Sequence, residues 1–291
     1  MKYAFYLGCA APVRGRHYEM STRKIAEGLG IELVDIPEFS CCGFPIKGVA
    51  HDTFFLLSAR NLALAEKHGL NIMTICNSCT GVMTEVNHEL RENEDLRKKT
   101  NKALAELGYE YKGNVEVKHL IRVLYEDVGV EKIKEKVKVD VAAWKLAPHY
   151  GCHFAKPSVA YNRFEDPEYP RILRELMSAA GVGVVDHDRD KACCGGAILA
   201  VDENIALKMA GKKLESVAGA DGDGICLHCT FCCVMYDDNQ SKINQAIGQE
   251  YVIPILYYPQ VLGMAMGYDP KDLGLKMNRV KTKELLARLE S

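Results

Sequence analysis

One arrangement of cysteines occurs twice in this chain, and that repeat restricts the possible folds more than any other feature of the sequence. The corresponding cysteines are Cys9 and Cys152, Cys41-Cys42 and Cys193-Cys194, and Cys76-x-x-Cys79 and Cys229-x-x-Cys232. The two double cysteines, each followed by glycine, are 152 positions apart, and the two Cys-x-x-Cys pairs are 153 positions apart. A spacing that is kept over such a distance indicates two copies of one structural unit.

Each copy predicts strands that alternate with helices. The predicted strands cover residues 3–7, 31–36, 70–75, 145–150, 182–186 and 224–227, and the predicted helices cover 18–29, 51–68, 170–180 and 202–217. Such alternation favours right-handed crossovers and a parallel sheet. The sequence therefore predicts an α/β fold of two pseudo-repeated Rossmann-like βαβ units. Because loops after the carboxyl ends of parallel strands meet at one edge, we expect the cysteines of each unit to converge there.

The segments outside the repeat are predicted to be helical. Residues 84–138 are highly charged and predict a helical connector, either solvated or docked against another subunit. Residues 269–291 predict a helical C-terminal tail with an amphipathic helix over 282–289. We therefore expect two domains, residues 1–140 with an extension at about 84–138, and residues 141–291 with the tail.

The charge balance and hydropathy exclude several classes of protein. The chain of 291 residues has 37 Lys and Arg against 39 Asp and Glu, a formal net charge of −2, which argues against a nucleic-acid partner. No uninterrupted apolar stretch is long enough to span a membrane. The few residues before Cys9 do not form a secretory leader, so we expect a cytoplasmic, reducing location. Grouped thiols in such a compartment favour metal or redox chemistry over structural disulfides.

Five thiols per unit leave three chemical interpretations open. A structural zinc site uses four ligands, usually as two close pairs, and Cys76-x-x-Cys79 supplies only one such pair. Adjacent side chains diverge, so Cys41 and Cys42 suit the separate irons of a polynuclear iron–sulfur centre better than one zinc ion. Five thiolates also exceed the four of ordinary iron–sulfur clusters, which indicates an unusual cluster. Redox dithiols or buried structural thiols remain the third possibility.

The full pattern resembles a known family. The spacing Cys-x31-Cys-Cys-Gly-x32-Cys-x2-Cys, repeated with small changes in the second half, is similar to the cysteine-rich CCG domain. A chain with two such domains, starting near Tyr3-Ala-Phe-Tyr-Leu-Gly-Cys9 and carrying Ile255-Leu-Tyr-Tyr-Pro-Gln260 near its end, resembles the B subunits of methanogen heterodisulfide reductases. The resemblance covers nearly the whole chain, and residues 84–138 are its least distinctive part.

The resemblance implies a cofactor and a reaction. Each domain of that family holds one non-cubane [4Fe-4S] cluster, and the pair reduces the disulfide between coenzyme M and coenzyme B. The implied ligands in this sequence are Cys9, Cys41, Cys42, Cys76, Cys79, Cys152, Cys193, Cys194, Cys229 and Cys232. Cleavage of a disulfide needs two electrons and releases two sulfurs, so two clusters that face one crevice match both requirements.

The second copy offers more cysteines than the pattern needs. Cys226 with Cys229, and Cys229 with Cys232, form overlapping Cys-x-x-Cys pairs, and Cys233 follows directly. The interval from Cys194 to Cys229 is close to the interval from Cys42 to Cys76, so we expect Cys229 and Cys232 to be the ligands. Cys226 and Cys233 are then expected to be buried thiols, which behave as small hydrophobic residues.

Several residues near the cysteines are candidates for roles with the substrate. His153 directly follows Cys152, and an imidazole that titrates near neutral pH suits proton delivery to the product sulfurs; the alternative is a packed histidine or a hydrogen bond to sulfur. The sulfonate, phosphate and carboxylate of the two coenzymes require cationic hosts. The cationic candidates, each of which could instead be a solvated charge, are Arg14, Arg16, His17, Lys47 and Lys156.

The sequence also predicts partners. It contains no ferredoxin-type Cys-x2-Cys-x2-Cys-x3-Cys-Pro run and no Gly-x-Gly-x-x-Gly fingerprint, so electrons are expected from other proteins of a complex. The resemblance implies two partners: a cubane-bearing iron–sulfur protein and a flavin-bearing protein, which are the C and A subunits of heterodisulfide reductase. A hydrogenase or formate dehydrogenase is a further expected partner, which would bind through the flavin-bearing A subunit. Two other functions stay open: an electron-transfer subunit of a lactate, glycolate, succinate or fumarate oxidoreductase complex, and a zinc-bound structural protein.

Overall fold

Two parallel β-sheets of identical strand order form the framework of the protein. In the computed structural model, which describes residues 1–289, each sheet has four strands, and the orders are β2-β1-β3-β4 and β6-β5-β7-β8. The strands are β1 (Lys2–Tyr6), β2 (Glu32–Val34), β3 (Asn71–Thr74), β4 (Val117–His119), β5 (Lys145–His149), β6 (Gly183–Val184), β7 (Gly224–Leu227) and β8 (Ile255–Tyr257). The prediction of an α/β fold with two repeated parallel units is confirmed.

Helices connect the strands of each sheet. In the first unit they are α1 (Ala11–Arg14), α2 (Arg16–Leu29), α3 (His51–Lys67), α4 (Asn77–Glu92), α5 (Glu94–Ala105), α6 (Leu120–Arg122) and α7 (Val130–Lys136). In the second unit they are α8 (Ile172–Ala179), α9 (Glu203–Gly219), α10 (Thr230–Cys233), α11 (Gln240–Ile247), α12 (Tyr258–Ala265) and α13 (Lys283–Ala287). Short 3₁₀ turns lie at Phe44–Ile46, Gly196–Ile198 and Leu275–Met277, and π-helical segments lie at Val123–Val128 and Val234–Asp238.

The central strands of both sheets are buried on both faces. Residues 3–6 of β1 are buried, and so are residues 146–149 of β5. Helices on both sides of a parallel sheet require such continuous burial. The apolar face of α2, which includes Ile25 and Leu29, packs into the same core, and α2 ends where Gly30 takes a left-handed conformation.

The fourth strand of each sheet, β4 and β8, is not among the strands that the sequence predicts. The expected helical connector over 84–138 contains α5 but also β4, which pairs in parallel with β3. Leu104 and Tyr111 of this segment are buried, so it is a packed part of the first unit. The tail helix α13 is shorter than the predicted 282–289, and Trp144 Nε1 donates to the carbonyl oxygen of Leu285 at 2.7 Å. Residues 290 and 291 of the expected second domain lie outside the described residues.

The two units contact each other reciprocally. Helix α2 of the first unit packs against α12, which follows the fourth strand of the second sheet. The corresponding helix of the second unit, α8, packs against α6 and α7, which follow the fourth strand of the first sheet. This exchange is what an approximate two-fold axis between two copies produces. Over the same residues, 1–289, no helix combines the length and the apolar character needed to cross a membrane.

Candidate metal centre

The cysteines lie on three structural elements at the carboxyl edge of each sheet. Cys9 and Cys152 follow β1 and β5, and both double cysteines lie in the loops after β2 and β6. The Cys-x-x-Cys pairs open the helices after β3 and β7: Cys76 and Cys229 are the N-cap residues of α4 and α10. The same fold thus places five thiols per unit at one edge, as the sequence predicts.

The five thiols of the first unit, which we call the first cysteine set, are Cys9, Cys41, Cys42, Cys76 and Cys79. The Cys42 sulfur lies within hydrogen-bonding reach of Cys41 and Cys79, and Cys79 in turn reaches Cys76. Gly8, beside Cys9, has φ +68°, and a Cβ atom there would be 2.9 Å from the Cys79 sulfur. The loop that carries Cys9 therefore packs directly on this set.

The second cysteine set consists of Cys152, Cys193, Cys194, Cys229 and Cys232, and it repeats this arrangement. Cys193 is within hydrogen-bonding reach of Cys152 and Cys194, and Cys232 is within reach of Cys194 and Cys229. As at Gly8, a Cβ atom at Gly151 would approach a sulfur, here that of Cys232 at 3.4 Å.

The two cysteine sets meet at the boundary between the units. Cys76 of the first set and Cys229 of the second are close enough that each shifts the pKa of the other. Next to them, Asn77 Nδ2 donates to the carbonyl oxygen of Tyr150 at 2.8 Å, and its Oδ1 lies 3.0 Å from His228 Nδ1. The sets thus face each other at contact distance, as a joint site requires.

The mutual contacts of the thiols shift their pKa values in opposite directions. Hydrogen bonds from Cys41 and Cys79 lower the pKa of Cys42 to about 4. The neighbouring Cys193 raises the pKa of Cys194 to about 12. One thiolate therefore suppresses the ionisation of those around it, because like charges in a buried site repel. All five thiols of a set can be thiolates together only when cations such as metal ions compensate their charge.

Backbone N–H groups point at the sulfurs. Gly43 N donates to Cys41 Sγ at 3.4 Å, Gly195 N to Cys193 Sγ at 3.4 Å, and Gly196 N to Cys194 Sγ at 3.3 Å. Hydrogen bonds of this type stabilise thiolates that hold metal and tune iron–sulfur clusters. Grouped thiols, N–H donors and the contact between sets fit a metal or iron–sulfur site in each unit.

A buried histidine next to the second cysteine set was not identified in the sequence. His149 ends β5, is 1% exposed, and neither ring nitrogen has a hydrogen-bond partner among residues 1–289. A ring nitrogen and the sulfurs of Cys194 and Cys232 all lie within 4.8 Å of one another. The available sequence signal was its position three residues before Cys152, at the end of a predicted strand.

His153 lies between the units. Its ring meets the edge of Phe44 with centroids 5.2 Å apart, and Phe44 also contacts Phe231, at 6.5 Å. Burial, and then the nearby Lys47, lower the pKa of His153. A narrow pocket at this place is lined by these three rings, by Asn77 and by thiols of the second set.

Of the cationic candidates, Lys47 is the one that influences His153 at this pocket. It pairs with Glu85, and both side chains affect the charge of His153. Lys156 is exposed and pairs with Glu168 at 3.0 Å. Arg14 pairs with Asp238 at 2.5 Å. Arg16 is also exposed on the surface.

His17 does not join these cations. It is 4% exposed, and its Nε2 lies 3.9 Å from the sulfur of Cys233. Burial lowers the pKa of His17 to about 4, so the ring is neutral at pH 7. A neutral, buried ring is not a cationic host, and this corrects the expectation that His17 binds an anionic group. His17, Cys233 and the buried Asp237 form a small polar cluster of their own.

The two extra cysteines are buried. Cys226 lies within β7 with its side chain fully enclosed, and Cys233 is 3% exposed. Burial alone accounts for the raised pKa of Cys226, whereas contacts with other thiols shift the pKa of Cys229 and Cys232. Their burial agrees with the expectation that they are packed thiols.

Comparisons with known proteins agree with this architecture. Residues 3–84 and 146–237 each match the model of a family described as CCG, cysteine-rich domain. The chain is 36% identical to the B subunit of the Ferredoxin/F(420)H(2)-dependent CoB-CoM heterodisulfide reductase of Methanosarcina acetivorans, over 99% of this chain and 97% of that protein. It is 30% identical to the 8-methylmenaquinol:fumarate reductase membrane anchor subunit of Wolinella succinogenes, over 98% of this chain and 99% of that protein.

A solved structure shows the same fold. The crystal structure of a hypothetical protein from Helicobacter pylori superimposes with a TM-score of 0.78 at 18% identity. The match covers 96% of this chain and 52% of that chain, so the present chain spans about half of the solved one.

Proposed function

Because the chain belongs to the family of proteins with cysteine-rich CCG domains, we propose that it is the catalytic subunit of a disulfide reductase complex. The substrate in this proposal is the heterodisulfide of coenzyme M and coenzyme B, which is cleaved to two thiols. The proximity of the two cysteine sets is the observation that carries the proposal: Cys76 and Cys229 shift each other's pKa, and Asn77, next to Cys76, bonds to Tyr150 and His228 of the second unit. The two domains are residues 1–140 and 141–291.

The ten thiols of the two cysteine sets would hold two non-cubane [4Fe-4S] clusters, one per set. Such clusters, when bound, supply one electron each and an iron site for sulfur. Gly43, Gly195 and Gly196 donate N–H groups to cysteine sulfurs and so stabilise the thiolate form. Phe44 and Phe231 line the pocket beside the second cysteine set and would make part of its wall apolar.

His153 is positioned to supply a proton at this pocket. Its ring lies among pocket-lining residues, and a proton on one ring nitrogen can pass to a product sulfur. Lys47 follows the first double cysteine in the chain, and Lys156 follows Cys152. These lysines, together with Arg14 and Arg16 after Cys9, would bind the anionic arms of the substrate. Electrons would arrive from a cubane iron–sulfur protein and a flavoprotein, the C and A subunits of such a complex, and a hydrogenase or formate dehydrogenase would feed the flavoprotein.

The proposal is tested with the full-length chain purified without oxygen. We expect about eight irons per chain and reduction of the coenzyme M–coenzyme B disulfide by reduced methyl viologen, with two electrons consumed per disulfide. His153→Gln should keep the iron content and lower the rate about 100-fold, the usual size of a general-acid effect. Iron-free protein that binds zinc, or iron-loaded protein that leaves the disulfide intact, would refute the proposal.

A second function is supported by the 30% identity to the fumarate reductase anchor subunit. In that case the chain passes electrons between a partner enzyme and a quinone, and the pocket between the cysteine sets takes no disulfide. The same reduced protein is then mixed with a soluble menaquinone analogue. Oxidation of the protein by the quinone, together with inertness toward the heterodisulfide, would favour this second function.

A further inference from the structure

The two cysteine sets hold equivalent thiols, but different side chains surround them. When the repeats are aligned on Gly8 and Gly151, His149 corresponds to Tyr6. The Tyr6 hydroxyl donates to the carbonyl oxygen of Ser40 at 2.6 Å, so this polar group beside the first cysteine set already has its partner. His149 has no such partner within residues 1–289.

The position of His149 indicates which group would satisfy it. The ring is buried, and its nitrogen lies within 4.8 Å of the sulfurs of Cys194 and Cys232, yet no hydrogen bond joins it to either. A single atom placed among these three groups would contact all of them. Because a buried imidazole N–H without an acceptor costs free energy, the ring requires an acceptor in that space.

A buried lysine lies near the second cysteine set. Lys213 of α9 is 1% exposed, and its ammonium group donates to the carbonyl oxygen of Arg189. The acidic groups nearest to this amine are Asp190, Cys232 and Cys194, so it lies among groups that carry negative charge when ionised. At the corresponding position of α3 the first unit has Asn61, a neutral residue.

A tyrosine provides a third difference. The ring of Tyr236 meets that of His149 with centroids 5.0 Å apart, and its buried hydroxyl has no partner among the residues that the structure describes. The phenol is therefore a buried O–H donor without an acceptor, in contact with His149 and close to the second cysteine set. Met83 stands at the corresponding position of the first unit.

We propose that His149, Lys213 and Tyr236 make the second cysteine set the electron-accepting end of the pair. This inference rests on the proposed function, since it requires an iron–sulfur group at each set. Reduction adds one negative charge to such a group, and nearby N–H or O–H donors and a cation stabilise the reduced form. The first electron added to the protein therefore resides at the second cysteine set, whose potential lies above that of the first.

The test is a redox titration of the full-length, iron-loaded chain followed by electron paramagnetic resonance. We expect two one-electron steps whose equilibrium constants differ at least tenfold, which corresponds to about 59 mV. The steps are assigned with two proteins that each keep one set of thiols, Cys41→Ser with Cys42→Ser, and Cys193→Ser with Cys194→Ser. The higher step should belong to the protein that keeps the second set.

The variants His149→Phe and Lys213→Met remove a donor and a charge while they preserve size. Each variant should lower the potential of the second-set step, so that its equilibrium constant for reduction falls at least tenfold. The first-set step should stay unchanged. Tyr6→Phe is the matched control at the first set and should leave the second-set step in place. A pulsed-resonance coupling to histidine nitrogen should also vanish in His149→Phe, which a purely structural role would not cause.

The outcomes separate this inference from the function on which it depends. A wild-type protein without iron would overturn both, because no cluster would then exist. Two iron-loaded sets with equal potentials, or a second-set step that neither His149→Phe nor Lys213→Met moves, would overturn this inference alone. If His149→Phe does not take up iron, Lys213→Met and the nitrogen coupling of the wild-type protein decide the matter.

Discussion

Replacement of Gly43 by alanine should damage the protein more than the same change at another left-handed glycine. Gly43 follows the first double cysteine and has φ +87°. A Cβ atom there would lie 2.8 Å from Phe54 Cα, a backbone atom of α3. Gly30, at the end of α2, also has a positive φ, +74°, but a Cβ atom there would meet nothing within 4 Å. Both glycines thus have a left-handed backbone conformation, but only at Gly43 would an added Cβ atom collide with another part of the protein.

The expected cost follows from these two contributions. A left-handed conformation costs a residue with a Cβ atom about 1–2 kcal/mol, and the stiffer unfolded chain returns about half of this. Gly30→Ala should therefore lose about 1 kcal/mol. An atom forced into a packed contact adds about 1–3 kcal/mol. Gly43→Ala should lose about 2–4 kcal/mol of the free energy of unfolding, and it should displace the loop that carries Cys41 and Cys42.

The assay has two readings. Urea unfolding of the iron-free chain gives the loss of stability, and iron analysis after reconstitution gives the occupancy of the sites. Gly43→Ala should bind about half of the wild-type iron, because only the second cysteine set remains intact, whereas Gly30→Ala should bind the full amount. If both variants unfold at the same urea concentration and bind the same amount of iron per chain, then the contact with Phe54 is not the reason why glycine follows the double cysteine.

Three further predictions test other parts of the site. Cys226→Ala should keep the full iron content whereas Cys229→Ser should lose the iron of the second set; equal losses would contradict the choice of ligands. Asn77→Ala leaves the buried His228 Nδ1 without its partner and should lower the free energy of unfolding by about 1–3 kcal/mol in urea; unchanged stability would show that this contact does not join the units. Burial raises the pKa of Asp237 from 3.8 to about 6, so the native state disfavours the carboxylate, and stability from this group is lost as pH rises from about 4 to 6. Relative to wild type, Asp237→Asn should thus gain about 2–3 kcal/mol over that interval, and a constant difference between the two proteins would refute the shift.

The sequence predicted the central part of each unit because repetition and hydrophobic periodicity both report on it. The first three strands of each sheet overlap the predicted segments, with β1 starting one residue earlier, and α3, at His51–Lys67, ends one residue before the expected 68. The fourth strands are as short as β2 and β6 but, unlike these, do not lead into one of the repeated cysteine groups that mark the units in the sequence. In the first unit Val117–His119 is surrounded by a charged segment, so its burial depends on pairing with β3, which local pattern does not reveal.

The side chains that face the thiols were harder to predict than the thiols. His17 follows Cys9 at a distance typical of a ligand loop, but the amphipathic face of α2 turns it into the core against Cys233. The sequence does not set His149 apart, because a histidine at the end of a buried strand looks like any other residue packed in the core. Its importance depends on the unpaired ring nitrogens, and hydrogen-bond satisfaction is a property of the folded state.

The repeat places the thiols, but the residues between them make the pocket asymmetric. Phe44 corresponds to Gly196, Phe231 to Ser78 and His153 to Ala10 when the cysteines of the two units are aligned. A pocket between two identical units would accept a ligand in either of two equivalent orientations, since the two-fold axis would interchange its ends. Here rings occupy positions for which the symmetry-related position carries a small side chain or none. The two ends of a bridging ligand therefore meet different surfaces, and a substrate with two unlike halves would bind in one preferred orientation.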